Sequence, residues 1–278
     1  MQQRLGDSVA RVEINADADF LSDDNTDEML LKGAVDIAAS PINLMQKYNS
    51  RFKLFDLPFL FVTPDAAYKF VQGEYGSRLN RLISQHGFEG FGFLNIGMKQ
   101  FSADDLIKLP RDFRNLRMNI IGDEVVEAGA KALRTTHTTA SNPQLYDLLK
   151  AKEVDALENT WTAIFDNKFY EVQPYMIESN HAYLGYIVLS SKAFWDKVPA
   201  DIKPIVKQSL VDAINLGNAI ALENEQADRL NVIATKKTEI HEMTVTERRQ
   251  WINVVQPIWK DYENEIGSEL ISAAASVR

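Results

Sequence analysis

The side chains that could carry out catalysis are few, and they do not form a known catalytic motif. Asp155 and Glu158 are the best-placed pair of carboxylates, and general acid–base chemistry needs such a pair. Both fall on a segment with the pattern of a short strand, where positions three apart point to opposite faces. The favoured interpretation is that Asp155 lies in the turn before the strand and Glu158 at its end. An enzyme that uses either carboxylate remains an open alternative.

Metal and nucleotide chemistry find equally little support. The chain contains no cysteine, which excludes thiolate metal sites, cysteine nucleophiles and disulfides. The sequence has no GxGxxG, P-loop or GxSxG motif, and its histidines form no HxH or HxxxH pair. These four histidines are His86, His137, His181 and His241. We therefore predict no catalytic residue, no metal and no cofactor.

Polar side chains instead gather where the predicted strands end. Ligands of open α/β sheets bind outside the carboxyl ends of the strands, and hydrogen-bonding groups with aromatic neighbours suit a small polar solute. Each asparagine alone could equally cap a helix or a turn, but five such strand ends together favour a polar cleft. Residues at these ends are Ser40, Asn43, Asn95, Lys99, Asn119, Glu158, Asn159 and Trp161, and Asn180, His181 and Tyr183 precede or open the strongest strand.

The elements that must position these residues alternate between strands and helices. Apolar residues at helical spacing from about 202 to 234 predict one helix of roughly 45–50 Å, longer than a small domain is wide. The fold class is therefore α/β with mainly parallel sheets, in two lobes with a cleft between them and a long helix that bridges both. Strands are predicted at 10–15, 35–39, 90–94, 116–121, 154–158, 182–189 and 239–243, helices at 25–32, 64–86, 124–133 and 142–151, an acidic turn at 17–27 and an extended segment at 135–141, whereas Pro58 argues against a central strand at 54–62.

Composition excludes several classes of partner. The 278 residues carry a net charge of −9 with a pI of about 5.1, and Lys and Arg form no basic run. We therefore predict no nucleic-acid partner and no attraction to an anionic membrane surface. The longest apolar stretch, residues 183–190, is far shorter than the roughly 20 residues that span a bilayer.

Residues 154–175, VDALENTWTAIFDNKFYEVQPY, resemble the signature of the substrate-binding proteins of TRAP transporters (DctP type). In that signature a VDGQENP strand end is followed by a KFYEVQKY segment. Further matches run collinearly from about residue 9 to the end of the chain. They are GAVD at 33–36, DLPFLF at 56–61, the pair Asn180–His181 and SKAFWDKVP at 191–199.

The resemblance implies a two-lobed periplasmic-binding-protein fold and a periplasmic receptor. Such a receptor binds a small polar organic solute, an organic acid or a zwitterion, in the interlobe cleft by ligand-induced closure and delivers it to a TRAP membrane permease. We expect a monomer. Lobe one is predicted to comprise 1–96 and 185–224, and lobe two 97–184 and 225–278. A receptor that signals to a membrane kinase, or a degenerate member that binds nothing, remains an open alternative.

Three departures from the family pattern bear on the solute. Asn119 and Lys99 each stand where the family usually has an arginine, and Asn142 replaces an aromatic residue, so the cleft is expected to be more polar. A neutral or zwitterionic ligand is then as well accommodated as a monoacid held by Lys99. Arg117 is expected to be solvent-exposed. The predicted solute-binding residues are Ser40, Asn43, Asn95, Lys99, Asn119, Asn142, Glu158, Asn159, Trp161 and Tyr183, with Trp161 either against the ligand or in the core.

The amino terminus differs from the family as well. Members normally begin with a signal peptide, a first strand and a long helix before the strand that matches 10–15. This chain opens MQQRLGDSVARVEIN, which lacks the apolar core of a signal peptide. We therefore expect the signal peptide and the first strand to be missing upstream of Met1.

Overall fold

A seven-stranded mixed sheet organises the protein, in a computed structural model that describes residues 1–6, 11–15, 25–61, 63–120 and 122–277. The strand order is β1-β6-β2-β5-β3-β4, and β7 pairs with β6. The strands are β1 (Ile37–Pro41), β2 (Phe88–Ala103), β3 (Arg117–Asn119), β4 (Thr136–Thr138), β5 (Ala156–Asn159), β6 (Tyr175–Ser191) and β7 (Glu239–Glu242).

Besides the strands, the described residues form twelve helices and short 3-10 segments such as Ile42–Lys47 and Ser50–Asp56. The helices are α1 (Gln2–Leu5), α2 (Thr26–Lys32), α3 (Pro64–Gln72), α4 (Glu74–Ser84), α5 (Glu124–Leu133), α6 (Asn142–Lys150), α7 (Trp161–Asp166), α8 (Lys192–Lys197), α9 (Lys203–Thr235), α10 (Val245–Asp261), α11 (Glu263–Ile266) and α12 (Ser268–Ser276). None of these helices combines the length and the apolar character that a membrane crossing requires.

The chain divides into two compact units. Unit 1 holds the described residues of Met1–Phe52, Lys69–Ile96 and Gly185–Ala221, and unit 2 those of Lys53–Tyr68, Gly97–Leu184 and Leu222–Arg278. The strands β2 and β6 and the helix α9 each contribute residues to both units. The predicted lobe boundaries stay a prediction, and they differ from these units chiefly at residues 53–68.

Each unit has its own hydrophobic core. In unit 1, Phe91 of β2, Trp195 of α8 and Ile214 of α9 belong to one buried cluster. In unit 2, Leu157, Ile164 and Phe169 belong to another, which also includes Val232 of α9. Burial of such side chains is worth about 1.5–3 kcal/mol each, so these clusters hold the strands that carry the polar residues in place.

Local sequence explains the helices that border the candidate site. The predicted helix at 124–133 is confirmed, because Val125, Gly129, Ala130 and Leu133 form one buried face and acidic residues occupy the first turn. Helix α6 begins at a capping box between Ser141 and Gln144. The predicted helices at 25–32 and 202–234 are confirmed as α2 and α9.

One prediction about the strands is wrong. Residues 11–15 form no strand, and Ile14 is 89% exposed, because alternation alone does not provide a partner strand. Residue 10 of this predicted strand and residues 17–24 of the predicted acidic turn at 17–27 lie outside the described residues. The sheet is mixed: β1 pairs antiparallel with β6, and β2 with β5, whereas β3 is parallel to both β4 and β5, and β7 is parallel to β6.

The strands β2 and β6 are also much longer than the predicted 90–94 and 182–189. Polar residues interrupt the apolar pattern at Gln100 and Asn180, but in the structure they satisfy each other. The amide of Gln100 donates to Asn180 Oδ1 over 2.7 Å, and Asn180 N–H donates to Gln100 Oε1 over 2.9 Å. The predicted helix at 64–86 is divided at Gly73 into α3 and α4.

Asn218 links α9 to β2 within unit 1 through two hydrogen bonds. We predict that Asn218→Ala lowers the free energy of unfolding by about 2–3 kcal/mol. The side chain is buried and bridges two backbone groups, with Oδ1 accepting from Asn95 N–H over 2.6 Å and Nδ2 donating to Phe93 O over 3.0 Å. Its loss leaves the Asn95 N–H buried without this acceptor, whereas Phe93 O keeps the amide of Gln72, which donates to it over 3.2 Å. Urea unfolding measures the effect, and the exposed Asn224→Ala on the same helix is the control, expected to change stability by less than about 0.5 kcal/mol. An effect no larger than that of the control would contradict this role of the bridge.

Candidate functional site

Four buried polar side chains of unit 2 contact one another in sequence, and we call this set the buried polar row. Lys99 Nζ donates to Glu158 Oε1 over 2.7 Å, and Glu158 Oε2 lies 2.9 Å from His181 Nε2. The other ring nitrogen of His181, Nδ1, lies 2.8 Å from Ser179 Oγ. All four residues are at most 9% exposed, so water screens these interactions little.

The pairing of strands brings the residues of the buried polar row together. Phe101 of β2 lies opposite Glu158 of β5, and Lys99 shares the face of Phe101 because side chains two apart on a strand point the same way. His181 of β6 stacks on Phe101 with ring centroids 3.6 Å apart and an interplanar angle of 8°. The carbonyl of His181 accepts from Phe59 N–H over 2.6 Å, which fixes the strand at this point.

Burial and neighbouring charges set the protonation states within the buried polar row. Burial raises the pKa of Glu158, but the Lys99 charge and hydrogen bonds from His181 and Lys99 outweigh it and hold this pKa at about 2. Burial lowers the pKa of His181, with Glu158 opposing that shift. A neutral imidazole fits the contacts, with Nε2–H donating to Glu158 and Nδ1 accepting the Ser179 hydroxyl. The buried polar row therefore contains a balanced Lys⁺–Glu⁻ pair that is supported by a neutral histidine.

The order serine, histidine, carboxylate resembles that of a hydrolase triad, but the serine is not accessible. Ser179 is 0% exposed and is not among the residues that line the neighbouring cavity. A nucleophile must reach its substrate within bonding distance. The arrangement instead holds Lys99 and Glu158 in fixed positions.

Lys99, Glu158 and His181 line a cavity of about 50 Å³ that lies wholly within unit 2. Much of its wall is apolar, with contributions from Met118 of β3, from Ile120 just after this strand and from residues of α5. Tyr183, another predicted site residue, also contributes to the wall. Its ring packs against Phe55 and Phe61, its hydroxyl is buried with no hydrogen-bond partner among the described residues, and burial raises its pKa.

Three asparagines predicted to bind solute form a second polar group, which is uncharged. Asn119 pairs in both directions with the backbone of Ala140, donating to its carbonyl over 3.2 Å and accepting from its N–H over 2.7 Å. The amide of Asn159 donates to Asn142 Oδ1 over 3.1 Å. Because Asn119 alternates with Met118 and Ile120, it points to the face of β3 opposite the cavity.

Trp161 and Glu225 meet at the first turn of α7. Trp161 is 4% exposed and its side chain belongs to the hydrophobic cluster of unit 2, so its role in solute binding stays a prediction. The Glu225 carboxylate accepts from Thr162 N–H over 2.8 Å and from Trp161 N–H over 3.3 Å, and burial raises its pKa. Sequence reasoning missed Glu225. The signal available was an acidic residue within a helix whose spacing places it near apolar side chains.

The remaining predicted site residues lie in unit 1. Ser40 on β1 is fully buried, and Asn95 on β2 is 8% exposed; Ser40 Oγ and Asn95 Oδ1 have no hydrogen-bond partner among the described residues. Asn43 is half-buried in the 3-10 segment after β1. A buried polar atom without a partner is costly, so a bound molecule or water would stabilise these positions.

The structure separates the two carboxylates considered for catalysis. The Asp155 carboxylate accepts hydrogen bonds from Arg117 Nε, over 2.9 Å, and from Arg117 Nη2. Glu158 instead belongs to the buried polar row. Arg117 is exposed, as expected, and its partner is Asp155. Within the described residues, no group of three His, Asp or Glu side chains could hold a metal ion.

Comparison with known proteins shows a match along nearly the whole chain. Residues 2–265 match the family described as bacterial extracellular solute-binding protein, family 7 (DctP). The C4-dicarboxylate-binding periplasmic protein DctP of Shewanella loihica is 35% identical over 96% of this chain and 79% of its own length.

Two solved structures are similar as well. A TRAP periplasmic solute-binding protein from Shewanella oneidensis with bound succinate superposes with a TM-score of 0.92 at 34% identity, covering 99% of this chain and 90% of that one. Another, from Pseudomonas aeruginosa with bound L-malate, has a TM-score of 0.86 at 29% identity, covering 94% of this chain and 91% of that one. These neighbours have the two-lobed periplasmic-binding fold, and the expected fold class is confirmed.

We predict that Glu158→Gln lowers the free energy of unfolding by about 3 kcal/mol at pH 7, because Lys99 is left buried without its countercharge. The folded pKa of Glu158, about 2, lies below its ordinary value of 4.5. The stabilisation is therefore present in full above pH 4.5 and is lost as the pH falls towards 2. The destabilisation by Glu158→Gln should shrink over that interval in urea unfolding. The exposed Glu239→Gln is the control, and a pH-independent difference between wild type and Glu158→Gln would contradict the assigned pKa.

Proposed function

Because this chain belongs to family 7 of the bacterial extracellular solute-binding proteins, we propose that it binds a small organic acid and that Lys99 receives a carboxylate of this solute. The observation that carries the proposal is the ammonium group of Lys99, which is buried and lines the cavity of unit 2. A cation away from water binds carboxylates strongly through charge-assisted hydrogen bonds.

Other predicted residues supply neutral hydrogen-bonding groups. In unit 2, Tyr183 lines the cavity together with Lys99, and Glu158 positions Lys99. Asn119, Asn142 and Asn159 are proposed as a separate group of solute-binding residues on the opposite face of the sheet. In unit 1, Ser40, Asn43 and Asn95 are proposed to contribute, and the unpartnered Ser40 Oγ and Asn95 Oδ1 support this assignment. Trp161 is proposed only as a wall behind the amides.

A four-carbon dicarboxylate is a second candidate for the solute. The Shewanella loihica relative is named for C4-dicarboxylates, and the two solved structures carry succinate and L-malate. The chain covers most of the length of each of these proteins, so their ligands are the natural first compounds to test.

The family's receptors act outside the cytoplasm and work with TRAP permeases. We propose the same location and partner for this chain, which would act as a monomer. The relatives are binding proteins rather than enzymes, so we expect the solute to leave the protein chemically unchanged.

Isothermal titration calorimetry with organic acids and their neutral amides tests the role of Lys99. We expect the acids to bind at least tenfold more tightly than the amides. The double variant Lys99→Met/Glu158→Gln removes both charges together, which preserves folding better than removing one. It should weaken acid binding at least tenfold, because a hydrogen bond to a charged group is worth roughly 1.5–3 kcal/mol.

The matched control is Lys152→Met/Asp104→Asn, which neutralises a more exposed lysine–carboxylate pair of unit 2 at 2.5 Å. This variant should bind the acids as the wild type does. Tighter binding of the neutral amides, or unchanged acid affinity in Lys99→Met/Glu158→Gln, would contradict the proposal.

A further inference from the structure

We infer that unit 2 contains a second binding site, for a soluble phosphate monoester, in a surface groove that is separate from the Lys99 cavity. This groove, which we call the arginine groove, has a volume of about 430 Å³, within the range of small-molecule sites. Arg111, Arg114 and Arg134 line the groove, and none of them lines the cavity. Lys99 and Glu158, in turn, do not line the groove. The inference therefore does not depend on the proposed function.

Three segments of unit 2 meet at the arginine groove. They are the 3-10 segment Pro110–Phe113, the C-terminal end of α5 and the middle of α10. The backbone N–H of Asn115 donates to the carbonyl of Arg134 over 3.0 Å, which joins the segment that carries Arg114 to the end of α5. The backbone positions of Arg114 and Arg134 are therefore fixed relative to each other, as preorganised binding of an anion requires.

Arg134 stands at a position where the fold itself favours glycine. It is the C-cap of α5 with φ 60° and ψ 38°, the left-handed conformation that glycine adopts without steric cost. A basic residue near a helix C-terminus is favourable, but Lys131 already supplies one in the last turn. The helix therefore does not need an arginine at 134, whereas an anion in the groove would be bound by its guanidinium group.

The positive charge of the arginine groove is largely uncompensated. Within the residues that the structure describes, the side chains of Arg114 and Arg134 form no ion pair and no hydrogen bond. Arg111 has Asp112 at 3.8 Å, and that carboxylate already accepts hydrogen bonds from two backbone N–H groups. The two glutamates of α5 line a neighbouring groove but not this one. Three positive charges and one negative charge leave a net charge of +2 here, in a chain whose net charge is −9.

A phosphate monoester matches this charge and this set of donors. Its phosphate group carries a charge of about −1.5 to −2 at pH 7 and three strong acceptor oxygens. Each guanidinium group presents parallel N–H donors that fit phosphate oxygens, whereas a single carboxylate carries about half the charge. For the organic part of the ester, Gln250 and Asn253 offer neutral amides, and Leu109 and Val254 offer apolar surface.

The charge of the whole chain favours a soluble ester over a lipid. A lipid headgroup such as that of phosphatidic acid carries the same phosphate monoester. However, an anionic membrane surface repels a protein with a net charge of −9. We therefore assign the arginine groove to a phosphate monoester in solution, and vesicles form a separate arm of the test.

Isothermal titration calorimetry at pH 7.5 and low ionic strength tests the inference, with glycerol 3-phosphate and phenyl phosphate as probes. Methyl phenyl phosphate is the matched control compound, because the second ester bond removes one negative charge and one charged oxygen. We expect at least one probe to bind, and phenyl phosphate to bind at least tenfold more tightly than methyl phenyl phosphate. Absence of binding for both probes, or equal binding of the two phenyl esters, would contradict the inference.

Two variants locate the site. Arg114→Gln/Arg134→Gly removes two guanidinium groups, and the glycine keeps the left-handed C-cap of α5. This variant should bind phenyl phosphate at least tenfold more weakly than the wild type. Arg249→Gln is the matched control, because it neutralises an exposed arginine of α10 that does not line the groove, and it should leave the affinity within about twofold. If the double variant does not fold, Arg134→Gly alone decides, with a loss of at least threefold expected.

The remaining outcomes separate this inference from the proposed function. The variant Lys99→Met/Glu158→Gln should still bind phenyl phosphate. Loss of phenyl phosphate binding in that variant, with full binding in Arg114→Gln/Arg134→Gly, would place the probe in the cavity and overturn the inference alone. Co-sedimentation with phosphatidylcholine vesicles that contain phosphatidic acid is the lipid arm. Binding to these vesicles without binding of the soluble probes would also overturn the inference.

Discussion

The site of unit 2 depends on the neutralisation of one buried lysine. Lys99 loses its hydration when β2 packs into the sheet, and Glu158 on the adjacent strand replaces that hydration at 2.7 Å. Glu158 in turn is held by His181, whose ring is fixed by Ser179 and by stacking on Phe101. Each member needs the next, because a buried charge or ring nitrogen without a partner would be costly.

The alternation of side chains along strands separates two kinds of chemistry. On β5, Glu158 belongs to the buried polar row and lines the cavity, whereas Asn159 hydrogen-bonds to Asn142 on α6. Along β3 and the residue after it, Met118 and Ile120 line the cavity, whereas Asn119 pairs with Ala140. One sheet therefore presents a balanced ion pair on one face and a neutral amide network on the other.

Much of this architecture could be predicted, and the failures have physical reasons. The spacing of Val125, Ala130 and Leu133 was sufficient for α5, because helix periodicity is a local property. The full lengths of β2 and β6 were not predictable, since Gln100 and Asn180 are 80 residues apart and satisfy each other only in the folded sheet. Lys99 and Glu158 are both predicted from the sequence to bind solute, but their direct pairing depends on strand register, which the sequence does not reveal. The position of Glu225 depends on how α9 packs against α7, which no local pattern records.

The internal pairing of Lys99 also bears on how a receptor of this kind releases its solute. A solute carboxylate that approaches Lys99 competes with Glu158 for the same ammonium group, so its affinity reflects the difference between two similar interactions. A buried cation without an internal partner would bind carboxylates more tightly, but it would also destabilise the empty protein. Under the proposed function, Glu158 therefore stabilises the fold in the absence of solute and moderates the affinity of Lys99 for the solute in its presence. A carrier that must hand over its cargo benefits from both effects, because tight binding by itself slows dissociation.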